Sequence, residues 1–168
     1  MFETIVHWIA GIEPYRIGLM ARPCGGEMLR EEVQAWHAAS VNTVVSLLES
    51  HEVRDLDLGE EAAICDEFGI SFYRFSIPDR GTPQSMRETF SLVAELHSKL
   101  VQGESLLIHC RAGIGRTGLL AACLLYKLNV PRSEIFKVLS KSRGTSMPDT
   151  SAQAAWVDKF ARAYPNQA

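Results

Sequence analysis

The sequence is poor in the features that usually announce a location or a ligand. No apolar run approaches the roughly 20 residues that a membrane-crossing helix needs, so no span is expected. The opening MFETIVHWIAGIEPYR is apolar but lacks the basic start and small-residue cleavage site of a secretory signal. Four cysteines are present, Cys24, Cys65, Cys110 and Cys123, with no C-x-x-C pair among them. That spacing suggests neither a metal site nor a disulfide framework, and a reducing, cytoplasmic setting is the expectation. Positive charge is not in excess: 17 basic against 20 acidic side chains leave a net charge of −3. Nothing in that balance offers a broad footprint for nucleic acid or an anionic membrane, so an anionic ligand must be caught locally. Repeats, low-complexity tracts and long linkers are missing as well. A length of 168 residues suits one domain, 1–168, with a sizeable core.

What is present alternates. Residues 41–48 (VNTVVSLL) and 105–110 (SLLIHC) read as buried strands, apolar or β-branched on both faces; 15–20 and 71–77 are weaker strand candidates. Helical stretches lie between and after them. Residues 25–39 lead into the first strong strand, and 58–69 ends in Gly69 as a C-cap. The stretch 82–100 opens with Thr82 as N-cap and Pro83 at the first helical position. Residues 116–128 are apolar nearly all round and should be buried, and 131–144 and 149–164 complete a helical C-terminal third. Strands alternating with helices predict an α/β fold with a central, mostly parallel sheet flanked by helices, in which ligands gather at the carboxyl ends of the strands.

Cys110 falls at such an end, in HCRAGIGRTG. Gly113 and Gly115 permit a tight path on which several N–H groups turn inward, and the loop feeds a helix N-terminus that favours an anion. N–H donors and a guanidinium would stabilise a thiolate over a thiol at Cys110. Arg116, after five intervening residues, can curl its fork back over the loop and bind a phosphate bidentately. The combination is a cradle for a tetrahedral dianion with a nucleophile at its floor. A nucleotide-binding P-loop is disfavoured because GIGRTG lacks the lysine and the spacing of that motif. His109 and Cys110 point to opposite faces, which disfavours a shared metal.

HCRAGIGRTG resembles the HC-x5-R-[ST] signature of the protein tyrosine phosphatase superfamily, and the short length and FSIPDRGTP are similar to its compact dual-specificity-type enzymes. The resemblance implies a phosphate-binding loop between buried strand and helix. In it Cys110 is the nucleophile that forms a phosphocysteine and Arg116 binds phosphate in the transition state. Thr117 hydrogen-bonds the sulfur and helps it leave, and His109 orients the loop. Substrate phosphate would sit against Arg111, Ala112, Gly113, Ile114, Gly115 and Arg116. No cofactor or metal is implied.

Such a reaction needs an acid for the leaving group and a base for the attacking water, which one carboxyl can supply in turn. Asp79 follows a strand candidate in a loop marked by Pro78, Gly81 and Pro83, and the resemblance places the general acid there. Asp149 is the rival carboxylate, read as a cap or loop former of the last helix. Gln153 lies where some members carry a glutamine that positions the hydrolytic water. Arg80 is expected to face solvent, and Arg22, Pro23, Cys24 and Glu52 to have structural or surface roles. Cys65 and Cys123 are read as core.

The expected function is therefore a monomeric, cysteine-dependent phosphatase acting on phosphorylated proteins, chiefly phosphotyrosine with phosphoserine and phosphothreonine, or on small phosphate esters, with no nucleic acid partner. The alternatives are a phosphoinositide, inositol phosphate or other small-molecule phosphatase, and an inactive phosphoresidue-binding module. A rhodanese-like sulfurtransferase is a further rival, but its loop is typically shorter by one residue and would not need Asp79.

Overall fold

The computed structural model describes residues 4–167. Five strands form one sheet in the order β1-β2-β5-β3-β4: β1 (His7–Trp8), β2 (Arg16–Met20), β3 (Thr43–Ser46), β4 (Ser71–Arg74) and β5 (Ser105–His109). Only β1 runs antiparallel. The helices are α1 (Leu29–Ala38), α2 (Ser50–Asp55), α3 (Glu61–Glu67), α4 (Met86–Val101), α5 (Gly115–Lys127), α6 (Arg132–Arg143) and α7 (Ser151–Ala163), with a 3-10 turn at Gly26–Met28 before α1. This is the mostly parallel, helix-flanked sheet that the alternating pattern predicts.

Side chains alternate across the sheet as the twofold period of a strand requires. Leu106, Ile108 and Val45 face a core built with α4, α5, α6 and α7, whereas Leu107 and Val44 face a second core that includes Val33 and Trp36 of α1 and Cys65 of α3. Extending β5 by the same rule sends His109 to the second face and Cys110 to the first. Register brings Met20 and Ser46 beside His109 and Arg74 beside Ser46, so the carboxyl ends of four parallel strands share one rim. α5 is buried through Gly115–Leu125, as its apolar composition predicts.

Several boundaries differ from the expectation. β4 stops at Arg74 rather than residue 77, and the chain then bends into the loop carrying Asp79. Thr82 does not cap α4: Ser85 does, accepting the Glu88 N–H, and the helix begins at Met86. Ser85 and Glu88 make an S-x-x-E pattern, the stronger start signal, while Thr82 and Pro83 remain in the loop over the site. Asp149 does not cap α7; Thr150 does, in a capping box with Gln153. The short helix α2 carries no periodicity to betray it, and it is held by a reciprocal box between Glu49 and Glu52.

Candidate active site

The loop between β5 and α5 closes around the Cys110 sulfur. Cys110 is buried, and its Sγ accepts from the Gly113 N–H at 3.3 Å and the Thr117 hydroxyl at 3.1 Å. Gly113 has φ +72°, and a Cβ there would lie 2.4 Å from the Met20 carbonyl, so neither its conformation nor its surroundings admit a side chain. Arg111 and Ala112 are exposed, Ile114 half-buried, and Ile114 at the N-cap of α5 supplies no side-chain cap. The first N–H groups of α5 are therefore not taken by a capping side chain, the situation that suits an anion.

Arg116 is 2% exposed although it is the longest cation available. Both its terminal nitrogens meet Glu52, Nη1 donating to Oε2 at 2.7 Å and Nη2 to Oε1 at 2.9 Å. Nη1 also donates to the Ile77 carbonyl at 3.0 Å, and Nη2 to Asp79 Oδ1 at 3.1 Å. No described residue accepts from its Nε, and a ligand that displaced Asp79 from Nη2 would meet a two-donor edge of the fork. Burial opposes the charge on Arg116, but the Glu52 hydrogen bonds, with the charges of Cys110, Glu52 and Asp79, hold its pKa above the ordinary value. For Glu52, burial pushes the carboxyl up, and the Arg116 hydrogen bond, the Glu49 backbone N–H and the Arg116 charge bring it below the usual range. Glu52, expected at the surface or in a structural role, is 2% exposed and forms the socket of the arginine.

His109 shares a hydrogen bond between Nε2 and Glu61 Oε1 at 2.6 Å, both side chains fully buried. Glu61 escaped the sequence reading. Its signal was a carboxylate four residues before Cys65, on the apolar face of a short helix, where only a paired charge is tolerated. Arg143, from α6, was missed too. Its Nε donates to the Gly113 carbonyl at 3.1 Å and its Nη2 to the Ala112 carbonyl at 3.0 Å, while Nη1 meets His7 Nε2 at 3.1 Å. A peptide plane carries its C=O and N–H in opposite directions. Holding these carbonyls outward therefore aims the following N–H groups, of Gly113 and Ile114, inward.

The structure brings Asp79 to the site through its contact with Arg116, and its own side chain is 58% exposed. Asp149 instead pairs with Arg80, Oδ2 to Nη1 at 3.2 Å. Arg80 faces solvent as expected but is tied. Gln153 is buried; its Oε1 accepts from the Thr150 N–H and its Nε2 donates to the Gly81 carbonyl, both at 3.1 Å. Cys24 sits half-buried near the rim, its N–H donating to Glu32. Cys65 and Cys123 are buried, as read from sequence, and burial pushes the Cys65 thiol up to about 12 and the Cys123 thiol higher still.

This geometry has counterparts. The family model described as "Polymorphic toxin system, DSP-PTPase phosphatase" matches residues 18–129. Protein 067L of Invertebrate iridescent virus 3, whose name calls it a tyrosine phosphatase, is 32% identical over 138 residues, 79% of this chain and 55% of that protein. Cyclin-dependent kinase inhibitor 3 of Rattus norvegicus is 32% identical over 96 residues, 56% of this chain and 45% of that protein. The chain thus spans about half the length of these relatives. A crystal structure of kinase associated phosphatase, with its catalytic-site cysteine replaced by serine, superposes with a TM-score of 0.88 at 20% identity, covering 100% of this chain and 99% of the other. PTPMT1 follows at a TM-score of 0.76 and 20% identity, covering 96% of this chain and 100% of the other, and has also been solved in complex with PI(5)P. With a family match running from β2 through the Cys110–Arg116 loop to the end of α5, the chain belongs to the DSP-PTPase phosphatase family.

Proposed function

We propose that the protein hydrolyses phosphate monoesters through a phosphocysteine, with phosphotyrosine in proteins as the preferred substrate and phosphoserine or phosphothreonine as further ones. The observation that carries this reading is the Cys110 sulfur, held by the Gly113 N–H and the Thr117 hydroxyl beside a guanidinium locked by Glu52.

In the first step the Cys110 sulfur attacks phosphorus, an S–P bond forms and the ester P–O bond breaks. Asp79 gives its proton to the departing oxygen. The Nε–Nη2 edge of Arg116, once Asp79 turns from Nη2 to the departing oxygen, and the inward N–H groups of the loop take the charge on the phosphoryl oxygens. In the second step Asp79, now a carboxylate, takes a proton from water as the water attacks phosphorus. The S–P bond breaks, orthophosphate leaves and the Thr117 hydroxyl bonds the emerging thiolate. His109 sets the end of β5 through Glu61, and a reducing, cytoplasmic setting is one in which a free nucleophilic thiol stays usable.

The test is turnover of p-nitrophenyl phosphate without added metal, followed by a panel of phosphopeptides and phosphoinositides. Cys110→Ser should abolish turnover and retain substrate binding, and labelled phosphate should be trapped on Cys110 of the wild type. Label on a histidine or aspartate would refute the mechanism. Preference for phosphoinositides over phosphopeptides would replace the substrate assignment, and binding without turnover would point to a phosphoresidue-binding module.

A further inference from the structure

The loop that carries Asp79 is fastened from outside as well as from within. Pro78 and Gly81 close a tight turn, the Gly81 N–H donating to the Pro78 carbonyl at 2.8 Å. Inside that turn Arg80, its third residue, sits at φ +58°, the left-handed conformation that such a turn calls for there. Two contacts hold the turn from outside. Arg80 reaches Asp149, and the Gly81 carbonyl receives the Gln153 amide. The first is an exposed ion pair, weak by itself. The second comes from a side chain that is fully buried and whose carbonyl end is spent on the Thr150 N–H, so its direction is set. A Cβ built on Gly115 would lie 2.9 Å from both ends of the Gln153 amide. The amide is thus wedged between the phosphate loop and the loop of Asp79.

We infer that Gln153, with Arg80 and Asp149 as an outer tie, is a positioning residue that latches the Asp79 loop onto the start of α7 and so holds the carboxyl over the phosphate site. This rests on the proposed phosphatase reading and adds to it. It also assigns Gln153 work in the first chemical step, the leaving-group step, rather than the water-positioning role that family resemblance implies. The two roles separate in kcat/KM, which reports the steps up to departure of the leaving group. A displaced acid lowers it for esters whose leaving group needs a proton, whereas a misplaced water slows only the second step and leaves it unchanged for every ester.

The experiment compares a tyrosyl phosphate with an aryl phosphate of a very acidic phenol, in the wild type, Gln153→Met and Thr150→Val. Gln153→Met keeps the volume and loses the tie to Gly81 together with its half of the α7 capping box. Thr150→Val damages the α7 cap but leaves that tie. Gln153→Met should slow the tyrosyl ester by about tenfold or more through misplacement of the acid, and the activated ester much less. Thr150→Val should leave the ratio of the two rates at its wild-type value. Hydrogen exchange of residues 79–82 should speed up in Gln153→Met and in Arg80→Asp, and return towards wild type in the charge swap Arg80→Asp with Asp149→Arg. An unchanged rate ratio in Gln153→Met, or the same change in Thr150→Val, overturns the inference. So does a fall in kcat with a burst of released phenol and an unchanged kcat/KM for both esters, which would place Gln153 in the second step alone. A wild type that hydrolyses neither ester refutes the proposed function instead, and the exchange measurements then still decide whether the loop is latched.

Discussion

Two buried carboxylates serve the same rim of the sheet in different ways. Glu52 spends both oxygens on Arg116 and also accepts the Glu49 N–H, so every part of it is occupied. Glu61 spends one oxygen on His109, and its Oε2 has no partner among the described residues. The first pair is a fork gripping a fork, which fixes the guanidinium in orientation as well as position. The second is a single link that holds a ring, and through it the end of β5. A carboxylate that fixes a plane can aim a group at a phosphoryl oxygen; one that fixes a point can only anchor a strand.

The largest effect should follow from breaking the fork. Glu52→Ala leaves a buried guanidinium with only the exposed Asp79 as counter-charge, and urea unfolding should show a loss of about 3–5 kcal/mol. A loss no larger than that of Glu61→Ala would mean that the two pairs are equivalent after all. Next comes Arg116→Lys, which keeps the charge but cannot reproduce the fork towards either Glu52 or phosphate. Its kcat should fall by roughly two or more orders of magnitude, and a near-wild-type rate would show that orientation is unimportant.

Glu61→Ala should be milder. It strips a buried imidazole of one hydrogen bond, for about 1–3 kcal/mol by urea unfolding, and Arg116 keeps its socket, so stability should suffer more than turnover. The smallest effect is one of pH. The Glu52 carboxyl is lower in the folded protein than in the unfolded chain, so its contribution is complete above the unfolded value near about 4.3 and is lost as pH falls through the lower folded value. The stability gap between the wild type and Glu52→Gln should therefore hold between about pH 5 and 6 and narrow below about pH 4. A gap that widens on acidification would contradict the assignment.

Local chemistry explains which features could be read in advance. The run Leu106–Ile108 followed by His109 and Cys110 announces a buried strand ending at a site, because burial on both faces and the change to polar residues are written in consecutive positions. The loop glycines and Arg116 are equally local, which is why the phosphate cradle and the α/β class could be inferred from the chain alone. The Ser85–Glu88 start of α4 was also written locally, but Thr82 and Pro83 offered a competing signal three residues earlier.

Partners distant in the chain are another matter. Glu52 is 64 residues from Arg116, Glu61 is 48 from His109, and Gln153 is 72 from Gly81. No spacing rule connects them, since a strand or helix relates only neighbours a few residues apart. Arg143 looks from its sequence like an ordinary basic residue in the last turn of α6, and only the approach of that helix to the Cys110 loop gives its guanidinium two carbonyls to hold. The amino-acid order thus determined the sheet-and-helix class and the loop that brings Cys110 and Arg116 together after a buried strand. Sheet register and helix packing alone decided which buried carboxylates aim that arginine and anchor that strand, and which glutamine meets the loop of Asp79, because those contacts exist only once segments far apart in the chain have been brought to one rim.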